Sequence, residues 1–232
     1  AQFRPVVKRI ACDLPGVCRV GFDLAQGVAA EVFDQMRIYY GDKQAGFRES
    51  LQDNFRLPET IQIPHEDGGK EYSNHLFVSD NTGVATLKLN TWESGVIEEE
   101  EKRSDFVCWI RNPSRGSWAL CIPYEMDGET KPAFPDFLVI RKDERLGYVI
   151  DILEPHNPDY KDNLGKAKGF AEYARQNPGV GRIQLIRMGK DPAGKNRFKR
   201  LDMSKSAIRD KVSHAMTNDE LDHIFDTDGF FA

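Results

Sequence analysis

One stretch constrains this chain more than any other: "KPAFPDFLVIRKDERLGYVIDILEPHNPDYKDN", from Lys131 to Asn163. Two apolar runs, "FLVI" and "YVIDIL", flank the charged "RKDERLG", the pattern of two strands joined as an antiparallel hairpin. Each strand carries a carboxylate where a hydrophobe is expected. Asp136 stands at the mouth of the first, while Asp151 and Glu154 stand within and after the second. Strand side chains alternate, so Glu154 and His156 share one face, and Asp151 takes the other with Val149 and Leu153. The hairpin then sets Asp136 across from Glu154. Two carboxylates a few ångström apart repel, and a divalent cation relieves that repulsion most directly. Hard oxygen ligands with room for water favour Mg²⁺ or Mn²⁺. Pro135 removes a backbone donor and stiffens the approach to Asp136, which suits a strand start or bulge. Taken singly, each carboxylate reads as strand-end capping. Taken together, Pro-Asp, strand, hairpin and a strand ending in Glu-x-basic read as a metal site.

The flanks say what the hairpin belongs to. "TWESGVIEEEEKRS" predicts a helix with Thr91 as N-cap and Glu93 in the first turn, where the helix dipole favours negative charge. "DFVCWIRN" and "SWALCIPYEM" predict two strands before the hairpin. "DNLGKAKGFAEYARQN" predicts an amphipathic helix with Leu164, Ala167, Phe170, Ala171 and Ala174 on one side, stopped by "NPGVG". A fifth strand, "RIQLIRMG", and a last helix, "MSKSAIRDKVSHAM", follow. That order predicts an α/β fold over 91–232, helices packed on a mixed α+β sheet. Residues 1–90 read as a β-rich linker or docking segment, with "ETIQIP", "HLFVSD" and "VATLKLN" as strands and "AAEVFDQMRIYY" as a short helix.

Composition narrows the class. Of 232 residues 40% are hydrophobic, enough for a packed core, and no apolar run approaches the ~18 residues a membrane helix needs. The first residues, "AQFRPVVKRI", lack both a signal-peptide core and an initiating Met, so the expectation is the tail of a longer chain. Cys12, Cys18, Cys108 and Cys121 have no zinc-type spacing, and Cys108 and Cys121 sit in apolar runs, which fits reduced thiols and a cytoplasmic setting. Net charge is −5, but it is uneven: Arg182–Lys211 holds ten basic residues against three acidic ones. Such a strip is a candidate anion-binding surface or, more plainly, a solvated face. "DPAGKNRFKR" lacks phosphate-loop spacing, so no ATPase is visible. His65, His75, His214 and His223 show no metal pattern, and "FDTDGFF" reads as a packing or docking tail.

The words "FVCWIRNPSRGSWALCIPY", "PAFPDFLVI" and "YVIDILEPH" resemble the PD-(D/E)xK nuclease core. More closely, they resemble the C-terminal endonuclease region of type III restriction Res subunits and related DEAD/DEAH helicase proteins. The resemblance covers Trp92–Met188. It implies a restriction-endonuclease-like core, DNA as partner, and a Mg²⁺- or Mn²⁺-dependent cleavage of phosphodiester bonds. It also implies a helicase motor and a modification or specificity subunit, on other sequence or another chain. Asp136 matches the Pro-Asp metal ligand and Glu154 the second one, with the Pro155 carbonyl beside them. Glu93 or one of Glu98–Glu101 would complete the set from the opening helix. His156 stands where the family has lysine, so His156, Lys166 or Lys168 would take that role, or the site has lost activity. Arg111, Arg115, Arg182, Lys195, Arg197, Lys199 and Arg200 are the candidates for DNA phosphates. Two rivals remain: a decayed nuclease fold that binds nucleic acid or docks protein, and a plain α/β domain with acidic decoration.

Overall fold

The computed structural model describes residues 3–7, 60–64, 68–79, 82–114, 119–144 and 147–232. In chain order the elements are β1 (Phe3–Val7), β2 (Thr60–Pro64), β3 (Lys70–Tyr72), β4 (Ala85–Leu87), α1 (Thr91–Glu100) and β5 (Phe106–Arg111). Then come β6 (Ile122–Met126), β7 (Glu129–Ala133), β8 (Phe137–Asp143), β9 (Gly147–Pro155) and α2 (Asn163–Gln176). The chain closes with β10 (Ile183–Lys190), β11 (Asn196–Asp202), α3 (Ser206–His214), α4 (Asn218–Asp228) and β12 (Phe230–Phe231). The main sheet runs β12-β11-β10-β9-β8-β5; β1-β2, β3-β4 and β6-β7 form separate two-stranded sheets. β9 and β10 are parallel, joined through α2, whereas β10-β11 and β11-β12 are antiparallel. The mixed sheet of an α+β fold is therefore present, as expected. The helix expected at 29–40, Cys12, Cys18, His65 and Arg115 lie outside the described residues.

Several elements depart from expectation. The N-cap of α1 is Asn90, not Thr91: its side chain accepts from the Trp92 and Glu93 amides, and Glu93 Oε2 accepts from the Asn90 amide at 2.8 Å. Asn90-x-x-Glu93 has the spacing of a capping box, which Thr91 does not. "SWALCIPYEM" supplies only β6, which pairs with β7 rather than joining the main sheet. "HLFVSD" forms isolated bridges, His75 to Trp109 among them, instead of a strand. β7 and β11 are not foreseen, because "ETKPA" and "NRFKRLD" are too polar to show a buried face. The charged, helical stretch around His223 forms α4, with Leu221, Ile224 and Phe225 buried at helical spacing.

The chain forms two compact units. One comprises Ala1–Arg111, Gly116–Trp118 and Leu138–Ile150; the other comprises Asn112–Arg115, Ala119–Phe137 and Asp151–Ala232. In the first, buried Trp109 meets Tyr72 and His75 edge-on, with ring centres 5.2 and 4.7 Å away. His75 is a core histidine: Nε2 accepts from the Arg111 amide at 3.2 Å and Nδ1 lies 2.7 Å from the Phe77 carbonyl. Those partners assign the neutral ring, and burial pushes its pKa down to about 4. Cys108 is fully buried in the same unit, and desolvation raises its thiol to about 12, as an inert core cysteine requires.

The second unit holds α2 against β6. Two glycines permit the close approach. A Cβ on Gly165 would fall 2.8 Å from Tyr124 Cδ2 and 2.9 Å from the Glu125 carbonyl. One on Gly169 would fall 2.7 Å from the Pro123 carbonyl and 2.8 Å from Tyr124 Cβ. Backbone cannot yield as a flexible side-chain tip does. Replacing Gly169 by Ala is therefore expected to cost about 1–3 kcal/mol in urea or thermal unfolding. Gly179→Ala, where nothing stands within 4 Å of the added carbon, should leave the midpoint nearly unchanged.

Candidate active site

The site begins with Asn112, the last residue of "WIRN". Its amide donates to the Asp136 carbonyl at 2.9 Å, and its Nδ2 donates to the carbonyls of Leu120 and Pro135 at 2.8 and 2.9 Å. Its Oδ1 accepts from the Leu120 amide at 2.8 Å. One buried side chain thus fixes the Pro135-Asp136 turn. That turn presents the Asp136 amide to Glu154 Oε2 at 3.0 Å. Asp136 is half-buried; Glu154 is buried, with 7% of its surface exposed. Burial first, and the Asp136 charge second, push Glu154 up to about 8, against the pull of Lys166 and the Asp136 amide.

Lys166, one turn into α2, is near enough for its charge to act on Glu154. Its Nζ is 3.3 Å from Asp162 Oδ2, and the same oxygen accepts from the Tyr124 hydroxyl at 3.1 Å. Burial pushes Asp162 up, but Lys166 and the Tyr124 hydroxyl outweigh it and hold the carboxylate below its usual range. Tyr124 goes the other way, to about 12, through burial and the neighbouring Asp162. The lysine charge acts on Glu154 and on His156 alike. Lys168, two residues on, lies some 200° further round the helix, half-buried, and takes no part in these contacts.

His156 follows Glu154 as alternation required, but its surroundings are apolar. It is 7% exposed, its ring centre lies 5.6 Å from that of Phe225, and Nδ1 has no hydrogen-bond partner. Burial, reinforced by Arg187 and Lys166, lowers it to about 4, against the Glu154 backbone bond and Asp222. That depression favours the uncharged imidazole at neutral pH.

These residues belong to a recognised family. A family model described as "YagJ family" matches residues 73–230. Protein YagJ of Escherichia coli strain K12 is 31% identical over 206 residues, covering 83% of each chain. The chain belongs to the YagJ family. No solved structure matches it. The family region contains every residue of the carboxylate–lysine cluster.

The remaining candidates fall elsewhere. Asp151, expected on the opposite face, is fully buried and accepts from the Arg182 amide and Nε at 2.6 and 2.7 Å. Arg182 is thereby committed to the core rather than to a phosphate. Arg200, 1% exposed, donates to Gln184 Oε1 at 3.1 Å, an interior position closed to DNA. Arg111 donates to the Lys88 carbonyl at 3.0 Å and to Glu93 Oε1 at 3.3 Å. Glu93 is held by that arginine and the α1 cap, and Glu98 pairs with Lys70 at 2.7 Å. Lys195 is exposed in the β10–β11 turn. Arg197 donates to the Ala232 carbonyl, and Lys199 donates to the Asp226 carbonyl at 3.0 Å.

Sequence reasoning missed Asn112, Tyr124 and Asp162. For Asp162 a signal existed, since Asp-x-x-x-Lys at a helix start is an i,i+4 pair. The Glu154 environment yields a stability prediction. Its carboxyl pKa is raised on folding, so the native state gains below about 4.5 and loses that advantage as pH climbs toward 8. Glu154→Gln removes this loss, so its melting temperature should exceed the wild type's by several degrees at pH 8.5 and by little at pH 5.

Proposed function

We propose that this protein is a Mg²⁺- or Mn²⁺-dependent DNA endonuclease with a PD-(D/E)xK-type core, centred on Asp136, Glu154 and Lys166. The observation that carries the reading is Glu154. A buried carboxyl beside a second carboxylate, with a lysine charge acting on it, is costly as architecture and useful as a phosphodiester site. Two oxygen-bearing side chains suit Mg²⁺, which keeps several waters and rarely takes an all-protein cage. Among the described residues no cluster of three or more Asp, Glu, His or Cys offers such a cage, so the fit is to the two-carboxylate mode. Asp136 and Glu154 would hold the ion, which when bound polarises a phosphoryl oxygen and acidifies a coordinated water.

The chain's own residues do the rest. Lys166 supplies fixed positive charge where phosphate negative charge builds up, and Asp162 with Tyr124 holds that ammonium in place. His156 packs the floor of the site against Phe225. The wider reading, a C-terminal part of a type III restriction helicase–nuclease with motor and modification partners, rests on the motif words in the sequence. A second reading, a decayed nuclease fold that binds nucleic acid or docks protein, is favoured by His156, since an uncharged buried ring stands where lysine is expected.

Calorimetric titration of Mn²⁺ tests the proposal. Wild type should bind, and Asp136→Ala or Glu154→Gln should weaken binding at least about tenfold. Affinity should rise up to about tenfold per pH unit below pH 8, since Glu154 must shed its proton to bind the ion. Lys166→Ala should leave Mn²⁺ binding intact while cutting plasmid nicking by about a hundredfold or more. No Mn²⁺ uptake even with DNA present would sink the catalytic reading and leave the binding module.

A further inference from the structure

The basic strip of the sequence is not bare. Arg187 on β10 and Lys199 on β11 are register partners, and Arg197 shares their face two residues away. That face is occupied by the chain's own last segment. Arg187 stacks on the Phe225 ring at 4.1 Å and pairs with Asp222 and Asp226. Lys199 Nζ reaches the Asp226 carbonyl, lies 3.8 Å from its carboxylate, and sits 5.5 Å from the Phe231 ring centre. Lys205 Nζ lies 4.9 Å from the Phe230 ring centre, and Arg197 donates to the Ala232 carbonyl. Two glycines shape the seat. A Cβ on Gly189 would press on Lys199 Cβ at 3.3 Å and on Phe231 Cε1 at 3.5 Å; one on Gly229 would meet Lys199 Cε at 3.2 Å.

We propose that residues 226–232 form a strap over a DNA-backbone-binding face of β10 and β11, and that DNA phosphates compete with it for Arg197, Lys199 and Lys205. The strap places carboxylate and carbonyl oxygens and ring faces where phosphate oxygens would sit. Its attachment is of the weak kind. β12 pairs through two residues only, and Asp226 is 71% exposed, so water screens its ion pairs. Asp228 adds one further surface pair, to Lys211 at 2.5 Å. Buried Leu221, Ile224 and Phe225 anchor the body of α4 beneath, so its last turn and the strap beyond it can yield while that body stays. A phosphate backbone offers several anions at once and gains by releasing counterions, an advantage one aspartate lacks.

This inference rests on the nuclease reading only in its choice of DNA as ligand. The test uses the full chain, a fluorescent duplex of about 20 base pairs, and EDTA throughout, so a metal site that fails leaves the result standing. Anisotropy would be followed across a salt series for wild type, Asp226→Asn/Phe230→Ala/Phe231→Ala, and the charge-matched Asp127→Asn in the β6–β7 turn. The opened variant should bind about tenfold tighter at low salt, with a log–log salt slope steeper by about 2 to 3, one phosphate for each uncovered cation. Asp127→Asn should shift affinity by no more than about twofold. Lys199→Ala should be silent in wild type and reduce the slope by about 1 in the opened background. If the triple variant loses its cooperative melt, Phe231→Ala alone carries the test, with a slope change of about 1. Equal affinity and slope in wild type and opened chain, or an equal gain in Asp127→Asn, would overturn the strap.

Discussion

A single buried amide holds the candidate site in register. Asn112 follows β5 and spends its donors and its acceptor on Leu120, Pro135 and Asp136. A side chain with both donor and acceptor can stitch two irregular segments at once, which no apolar residue can. Removing it would leave buried carbonyls without partners, and a buried unsatisfied group costs about 1–3 kcal/mol. The geometry downstream depends on this stitch. Only a fixed Pro135-Asp136 turn brings the Asp136 amide to Glu154, and with it the Asp136 charge that acts on Glu154.

Lys166 comes near Glu154 because α2 lies close upon β6. Gly165 and Gly169 remove the side chains that would hold the helix away, and Tyr124 comes within reach of Asp162. Packing and electrostatics are therefore one arrangement: small residues set the distance, and the distance sets which charges meet. Conformational freedom of a lysine tail is reduced by Asp162, so the ammonium is already placed. His156, by contrast, has been absorbed into the hydrophobic floor.

The hairpin, α2 and β10 were legible in the sequence because alternation and helical spacing mark them directly. β11 was not, since "NRFKRLD" buries Arg200 and Asp202 through Gln184, a partner from another strand. In α4 the helical spacing of Leu221, Ile224 and Phe225 was visible, but not the role of its aspartates, which neutralise cations that stand some 30 residues earlier. Asp136 and Glu154 could be placed together from periodicity and a turn. What His156 touches could not, because Phe225 arrives from far along the chain. Periodicity reports which face a side chain takes, and says nothing of who waits there.

Asp151 and Arg182 carry a consequence for how the sheet is assembled. They join β9 to the residue just before β10, across the α2 crossover, with a sequence separation of 31. Sliding one strand by two residues would keep every hydrophobe on its proper face, so burial alone tolerates the error. It would strand a fully buried carboxylate without its guanidinium, a penalty of about 3–5 kcal/mol. The ion pair thus acts as a proofreading latch for parallel strands: misaligned pairings find no resting place, and the crossover settles in one register.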